Sequence, residues 1–403
     1  MKNVSSINAE SQKSFYFKAI DGLRLLASIN IVLFHLEGIG GMYDMGGTPA
    51  WFFRLVKGPA FHASIFFILG GFIFSLKFAP KISRFKTSSF IKKRLSELYP
   101  LHFLTTIMMV VLLLERRFGT ESIDIPKLFF SLLMHLSFLW SFFPFGSYNL
   151  NTPSWALSAF FLCYLLFGPV LRWSMALKSR KSVSLFMILC FIPLAGWGLL
   201  FGALGNPMEL YHFFHIFAPV RFFEFVLGIL LARFFVLGRE KAQFRFKGIR
   251  SDIVFVLLIF MIYWTLGLQT REHPTLSWFS YHVFLVPLFL TALYTLALQR
   301  GIIARFLSLR FIRQTGRTSF YPYLIHIPLI SLTTMICERY FGYEKFLHSP
   351  LNIAIFMIIL YGGSYFYVYN FRNKRRAAKA ARKETVSQPD RPVSQKEEKS
   401  VGS

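Results

Sequence analysis

The sequence predicts an all-α fold: a polytopic transmembrane helix bundle of about 10 spans, 11 by the rival count, with both termini cytoplasmic. Three observations predict it. The 403 residues are 54% hydrophobic and only 16% charged, with 50 Phe, which is too apolar for a soluble domain of this length. The apolar residues form long uncharged runs that recur along the chain and do not alternate, which selects helices over a barrel. The net charge of +26 sits between those runs and in the tail. That is the cytoplasmic bias of a membrane protein, so membrane lipid is an expected partner and nucleic acid is not.

Taken in order, residues 1–16 are Ser/Asn/Lys-rich and read as a disordered segment with no cleavable signal. The membrane domain covers 17–371. Its first helix runs over about 18–38. A Gly-rich loop with Trp51, Arg54 and Lys57 leads to a second run at 58–79, containing FFILGGF at Phe66–Phe72. A basic loop at 80–97 precedes a third run at 98–114. Apolar stretches follow at about 127–145 and 154–171, separated by the turn-prone Gly146–Pro153. Later spans fall at about 184–204, 212–237, 252–269, 278–298, 319–337 and 351–371. The tail, 372–403, opens with Lys374, Arg375 and Arg376, reads as disordered, and lies against anionic lipid.

Crossing parity tests this layout. Placing the basic segments 80–97, 172–182, 238–250, 300–318 and the tail in the cytoplasm requires an even number of crossings between each pair. Between 80 and 172 there are three apolar stretches, so the middle one is expected to be re-entrant or interfacial, giving ten spans rather than eleven. Cys163, Cys190 and Cys337 lie singly in apolar runs, so neither a disulfide framework nor a metal site is expected.

The first helix carries the main chemical signal. Arg24 and His35 are eleven positions apart, so they differ by roughly 20° in direction and sit roughly 16 Å apart along the axis. Asp21 and Ser28 share that face. An arginine at a bilayer centre costs about 2.5–3.5 kcal/mol even on the gentlest scale, so this stripe should face a wet, protein-lined interior. His35 is the candidate catalytic base, because imidazole can accept a hydroxyl proton at ambient pH. Arg24 could orient it or bind an anionic donor. Lys92, Lys93 and Arg94, just before the third run, could hold phosphates of a nucleotide-bearing donor. Arg221 and Glu224 lie one turn apart in an apolar run and can pair. His326 sits between Pro322 and Pro328, which open the local backbone ladder. His102, His212, His215 and His282 are weaker candidates for polar contacts, and no histidine has metal-site spacing.

Together these pieces resemble the acyltransferase-3 family of integral membrane O-acyltransferases, over about residues 17–371. IDGLRLLASINIVLFH is similar to its N-terminal signature, with Arg24 and His35 at the basic and histidine positions. FFILGGF is similar to its second-helix motif, with Gly70 where serine is usual. FIKKRLSELYPL matches its basic entry at Arg94, with Glu97 where a second arginine is usual. NTPSWALSAFFLCYLL keeps Trp155 and Leu157 of its Trp-Ser-Leu motif, with Ala156 for the serine and Phe160 for a glutamate. RFFEFVLG and SFYPYLIHIP add Arg221, Glu224, Ser319, Tyr323 and His326.

The resemblance implies a bacterial cytoplasmic (inner) membrane; members often carry an extra esterase-like extracytoplasmic domain, and because this length leaves no room for one a stand-alone membrane domain is expected. It implies acyl-CoA, commonly acetyl-CoA, as co-substrate from the cytoplasm, with no tightly bound cofactor. The acceptor it implies is a carbohydrate or glycolipid hydroxyl, such as a polysaccharide or lipopolysaccharide. A second reading is a transporter or flippase for a lipid-linked saccharide, using the same ionisable interior as a pathway. The lack of detectable inverted repeats weighs against it.

Overall fold

The computed structural model describes residues 17–40, 59–117, 122–143, 145, 148–205, 210–240, 248–266, 275, 279, 281–342, 347 and 349–372. The segment 1–16, the loop with Trp51, Arg54 and Lys57, and the tail from 373 lie outside the described residues.

Among the described residues there are helices and turns but no strand. The helices are α1 (Lys18–Gly40), α2 (Pro59–Phe78), α3 (Thr87–Arg117), α4 (Ile125–Leu136), α5 (Trp155–Ala176), α6 (Arg180–Ala203) and α7 (Tyr211–Ile216). They continue with α8 (Ala218–Glu240), α9 (Gly248–Leu266), α10 (Val286–Ala297), α11 (Ile302–Leu307), α12 (Arg310–Thr318), α13 (Phe320–Phe341) and α14 (Pro350–Phe366). Eight helical stretches among the described residues are long and apolar enough to cross a membrane. The 23-residue α8, and the 17 residues from Tyr281 to Ala297 that join a π-turn to α10, correspond to the two remaining expected spans. The extra apolar stretch becomes α4, which has 12 residues. At 1.5 Å per residue it reaches only about 18 Å, short of a ~30 Å hydrocarbon core.

Two expected boundaries change. The basic segment 80–97 is not a loop: a 3₁₀ turn at Ala79–Arg84 gives way to α3 at Thr87. Phe90–Tyr99 is rich in Lys, Arg, Leu and Glu, which favour helix. The 31-residue α3 is therefore about 46 Å long and carries its basic turns beyond the hydrocarbon layer. The run 212–237 is not one helix either. Phe217 is extended, with ψ 116°, and Pro219 falls in the first turn of α8, where proline is tolerated.

Helices α2 and α8 cross at near backbone contact. A Cβ on Gly71 would overlap the Phe225 carbonyl, and one on Gly228 would overlap the Ile68 carbonyl. Small residues permit this approach where lipid cannot drive helices together by hydrophobicity. The crossing buries Phe67, Phe72 and Phe225 completely.

Candidate active site in the bundle interior

The polar stripe of α1 faces protein. Leu26, 49% exposed, marks the outer side of the helix. At ~100° per residue Arg24 and His35 lie about 200° and 180° from it. Opposite the stripe runs α12–α13, parallel to α1 and in matching register. Asp21 Oδ2 accepts from Arg317 Nε at 2.9 Å, and Asp21 Oδ1 accepts from Arg24 Nη1 at 3.3 Å. Ser28 Oγ lies 2.8 Å from Tyr361 Oη and 3.4 Å from the Ser319 carbonyl, to which it can donate. His35 meets His326 with Nδ1 and Nε2 3.1 Å apart.

Carbonyl partners settle the imidazole tautomers. His326 Nδ1 lies 3.0 Å from the Pro322 carbonyl, which can only accept. A neutral His326 therefore carries its lone pair on Nε2. His35 Nδ1 lies 2.9 Å from the Ile31 carbonyl, so it too bears the proton and shares it with His326 Nε2. The His35 lone pair is left on Nε2, where no described residue engages it. Of the two prolines, Pro322 lies in the first turn of α13 and removes no helical bond, while Pro328 opens the ladder. Pro328 lacks the N–H that would bond the Leu324 carbonyl, and Asn151 Nδ2 donates there instead at 3.1 Å.

A second group lies near the His35 end of the bundle, where His215 is an electrostatic neighbour of His35. Arg221 and Glu224 are fully buried and paired at 2.8 Å. Arg221 Nη1 also donates to Ser64 Oγ at 3.0 Å. Its Nε donates at 2.9 Å to the carbonyl of His215, a helix-end carbonyl freed by the break before α8. Its Nη2 donates to the same carbonyl and lies 3.3 Å from His215 Nδ1. The guanidinium stands 5.5 Å from the Trp155 ring centroid. Tyr323 Oη donates to the Pro153 carbonyl at 3.0 Å and is within electrostatic reach of Arg221.

Further cations gather near the Arg24 end. Arg94 pairs with Glu97 at 3.1 Å and lies 4.6 Å from the Phe74 ring centroid. Arg94, Lys93 and Lys81 are electrostatic neighbours of Lys77, and Arg94 and Arg24 are both neighbours of Tyr164. Lys92 is not brought into this group. Two residues from Arg94, it points roughly 200° away, into an open groove lined by Ser88, Ile91, Leu95, Ser96 and Tyr99. Arg24 and His35 are also held apart, at opposite ends of the seam. His35 is oriented by His326, not by Arg24.

Three of the four departures from the family pattern make local contacts. Glu97 supplies Arg94 with a carboxylate. Gly70 and Phe160 are a pair: a Cβ at 70 would lie 3.1 Å from Phe160 Cε1. Sequence reasoning missed Ser64, Asn151, Arg317 and Tyr361. Each reaches the site from another segment, and only Arg317 carried a charge to notice, inside a segment already explained by topology.

A family model described as an acyltransferase domain, that of the acyltransferase-3 family, matches residues 17–369. Acyltransferase MdmB of Streptomyces mycarofaciens is 25% identical over 342 residues, 81% of this chain and 82% of that protein. YrhL of Bacillus subtilis (strain 168), by name a candidate peptidoglycan O-acetyltransferase, is 23% identical over 376 residues. That match covers 87% of this chain and 54% of YrhL. No solved structure matches the chain significantly.

Proposed function

This chain belongs to the acyltransferase-3 family, and on that premise we propose that it moves an acetyl or other short acyl group from acyl-CoA to a glycan hydroxyl. The acceptor is a cell-envelope polysaccharide, lipopolysaccharide or related glycan, and the setting is a bacterial cytoplasmic membrane. The bacterial sources of both relatives support that setting. The observation that carries the mechanism is the His35–His326 contact, which presents a lone pair on His35 Nε2.

His35 Nε2 takes the proton of the acceptor hydroxyl as its oxygen attacks the thioester carbonyl carbon. The tetrahedral intermediate collapses by breaking the carbon–sulfur bond. The CoA thiolate leaves and takes the proton back from the imidazolium, so the ester and free CoA are the products. Arg24 is about 16 Å from His35 along α1, too far to stabilise the oxyanion, so its role is to steer the donor. Arg94 and Lys93 join it by holding donor phosphates at the cytoplasmic mouth. Arg221, held by Glu224 and Ser64, supplies positive field in the outer half, where charge develops. Asp21, Ser28, Ser319 and Tyr323 hold the seam in place.

The test is His35→Ala in membranes supplied with labelled acetyl-CoA. Loss of label from the glycan fraction is expected. Transfer at the wild-type rate would remove His35 as the base.

A further inference from the structure

Phe160 sits at the centre of the inward face of α5, yet its ring is only partly buried. The outer face of that helix is marked by Leu165, Leu166 and Trp173, which are 43%, 38% and 39% exposed. These lie roughly 140°, 240° and 220° around the helix from Phe160. The accessible edge of Phe160 therefore faces the interior of the bundle, not lipid.

Phe160 is part of a column of stacked rings. Tyr164 and Phe160 are 5.7 Å apart at 28°, Phe160 and Phe67 4.4 Å at 22°, and Phe67 and Trp155 5.9 Å at 29°. At its inner end Tyr164 neighbours Arg24 and Arg94, and at its outer end Trp155 lies beneath Arg221. Phe67, Trp155 and Tyr164 are closed off at 0%, 5% and 6% exposure. Phe160 is the member of the column that the interior can touch. Its ring fits against bare backbone, since a Cβ on Gly70 would come within 3.1 Å of it and 3.3 Å of Phe225.

We propose that Phe160, seated against Gly70, is a specificity-determining wall of the donor passage and confines the transferred group to a short acyl chain. This rests on the acyl-CoA reading above. A thioester travelling from the Arg24 and Arg94 level to His35 runs alongside this column. The seam of α1 and α13 is polar, so an acyl tail takes the aromatic side. The room it finds there is set by the Phe160 ring. A single methylene gained or lost in such a pocket shifts selectivity roughly 10- to 200-fold.

The experiment uses the full chain in nanodiscs, with acetyl-, butanoyl- and hexanoyl-CoA as donors and envelope membranes of the producing cells as acceptor. Acceptor-dependent release of CoA thiol is measured. Phe160→Ala should raise the butanoyl-to-acetyl ratio of kcat/KM about tenfold or more. Gly70→Ala, which pushes the ring into the passage, should lower it. Phe160→Leu is the milder enlargement if the alanine variant fails to fold. Unchanged ratios in the folded variants, with wild-type transfer intact, would overturn the role of Phe160 alone. No CoA release by the wild type from any of the three thioesters would overturn the donor reading, and this inference with it.

Discussion

His326 Nε2 lies 3.1 Å from His35 Nδ1, with the ring centroids 4.9 Å apart. The contact is possible because α13 runs parallel to α1 with a sequence offset of 291, the same offset that brings Ser28 to Ser319. On the proposed mechanism one helix supplies the base and the other fixes its aim. His326→Ala leaves His35 Nδ1 with the Ile31 carbonyl alone. Because misplacing a catalytic group by about 1 Å can cost ~100-fold, kcat should fall by about that factor while the donor KM holds. His326→Gln offers an amide oxygen in place of Nε2 and should recover part of the loss. Acceptor-dependent CoA release measures both, and an alanine variant with wild-type kcat would mean that His326 orients nothing.

The crossing of α2 over α8 leaves no room for a side chain at its glycines. Gly228→Ala places a methyl on the Ile68 carbonyl, and overpacking of this kind costs about 1–3 kcal/mol. The thermal midpoint in detergent should drop, whereas Gly362→Ala, in open space inside α14, should hold or slightly raise it. Equal midpoints for the two variants would show that the helices part without penalty.

What could be read in advance follows from the range of each interaction. Helical periodicity alone places Arg24 and His35 on one face, because both lie in one regular element. The pairing of Arg221 with Glu224 was legible for the same reason. The His35–His326 contact was not, since it depends on how two helices 291 residues apart are set in register. The proline signal marked a broken ladder around His326 without naming Asn151, which comes from another segment to cap the freed carbonyl. The basic stretch at 80–97 misled in the opposite direction. Its charges fit a loop by topology, but its residues are helix formers, and the local preference won.

Burial of Arg221 and Glu224 predicts a thermodynamic asymmetry. Removing one partner leaves the other charge inside the bundle, at a cost of about 3–5 kcal/mol. Glu224→Met should therefore unfold well below the wild-type midpoint. The double variant Arg221→Met/Glu224→Met removes both charges and should regain much of the loss, without regaining transfer. A double variant less stable than the single would indicate that Arg221 is held chiefly by Ser64 and the His215 carbonyl.

Glu97 partly neutralises the cation expected to meet the donor. Arg94 and Glu97 are both part-buried, with side chains 17% and 18% exposed, so their 3.1 Å pair is more than a loose surface contact. Releasing Arg94 by Glu97→Gln should lower the acyl-CoA KM about 2- to 5-fold or more, since a surface pair sets the lower bound for this part-buried one. Arg94→Gln should raise it about tenfold or more, because a charge-assisted contact to phosphate is lost. Lys92→Gln, on the far side of the helix turn, should change it least. Raising the salt concentration should compress the differences among all three by screening. A rise in KM for Glu97→Gln would reverse the assignment and make the carboxylate, rather than the guanidinium, the group that contacts the donor.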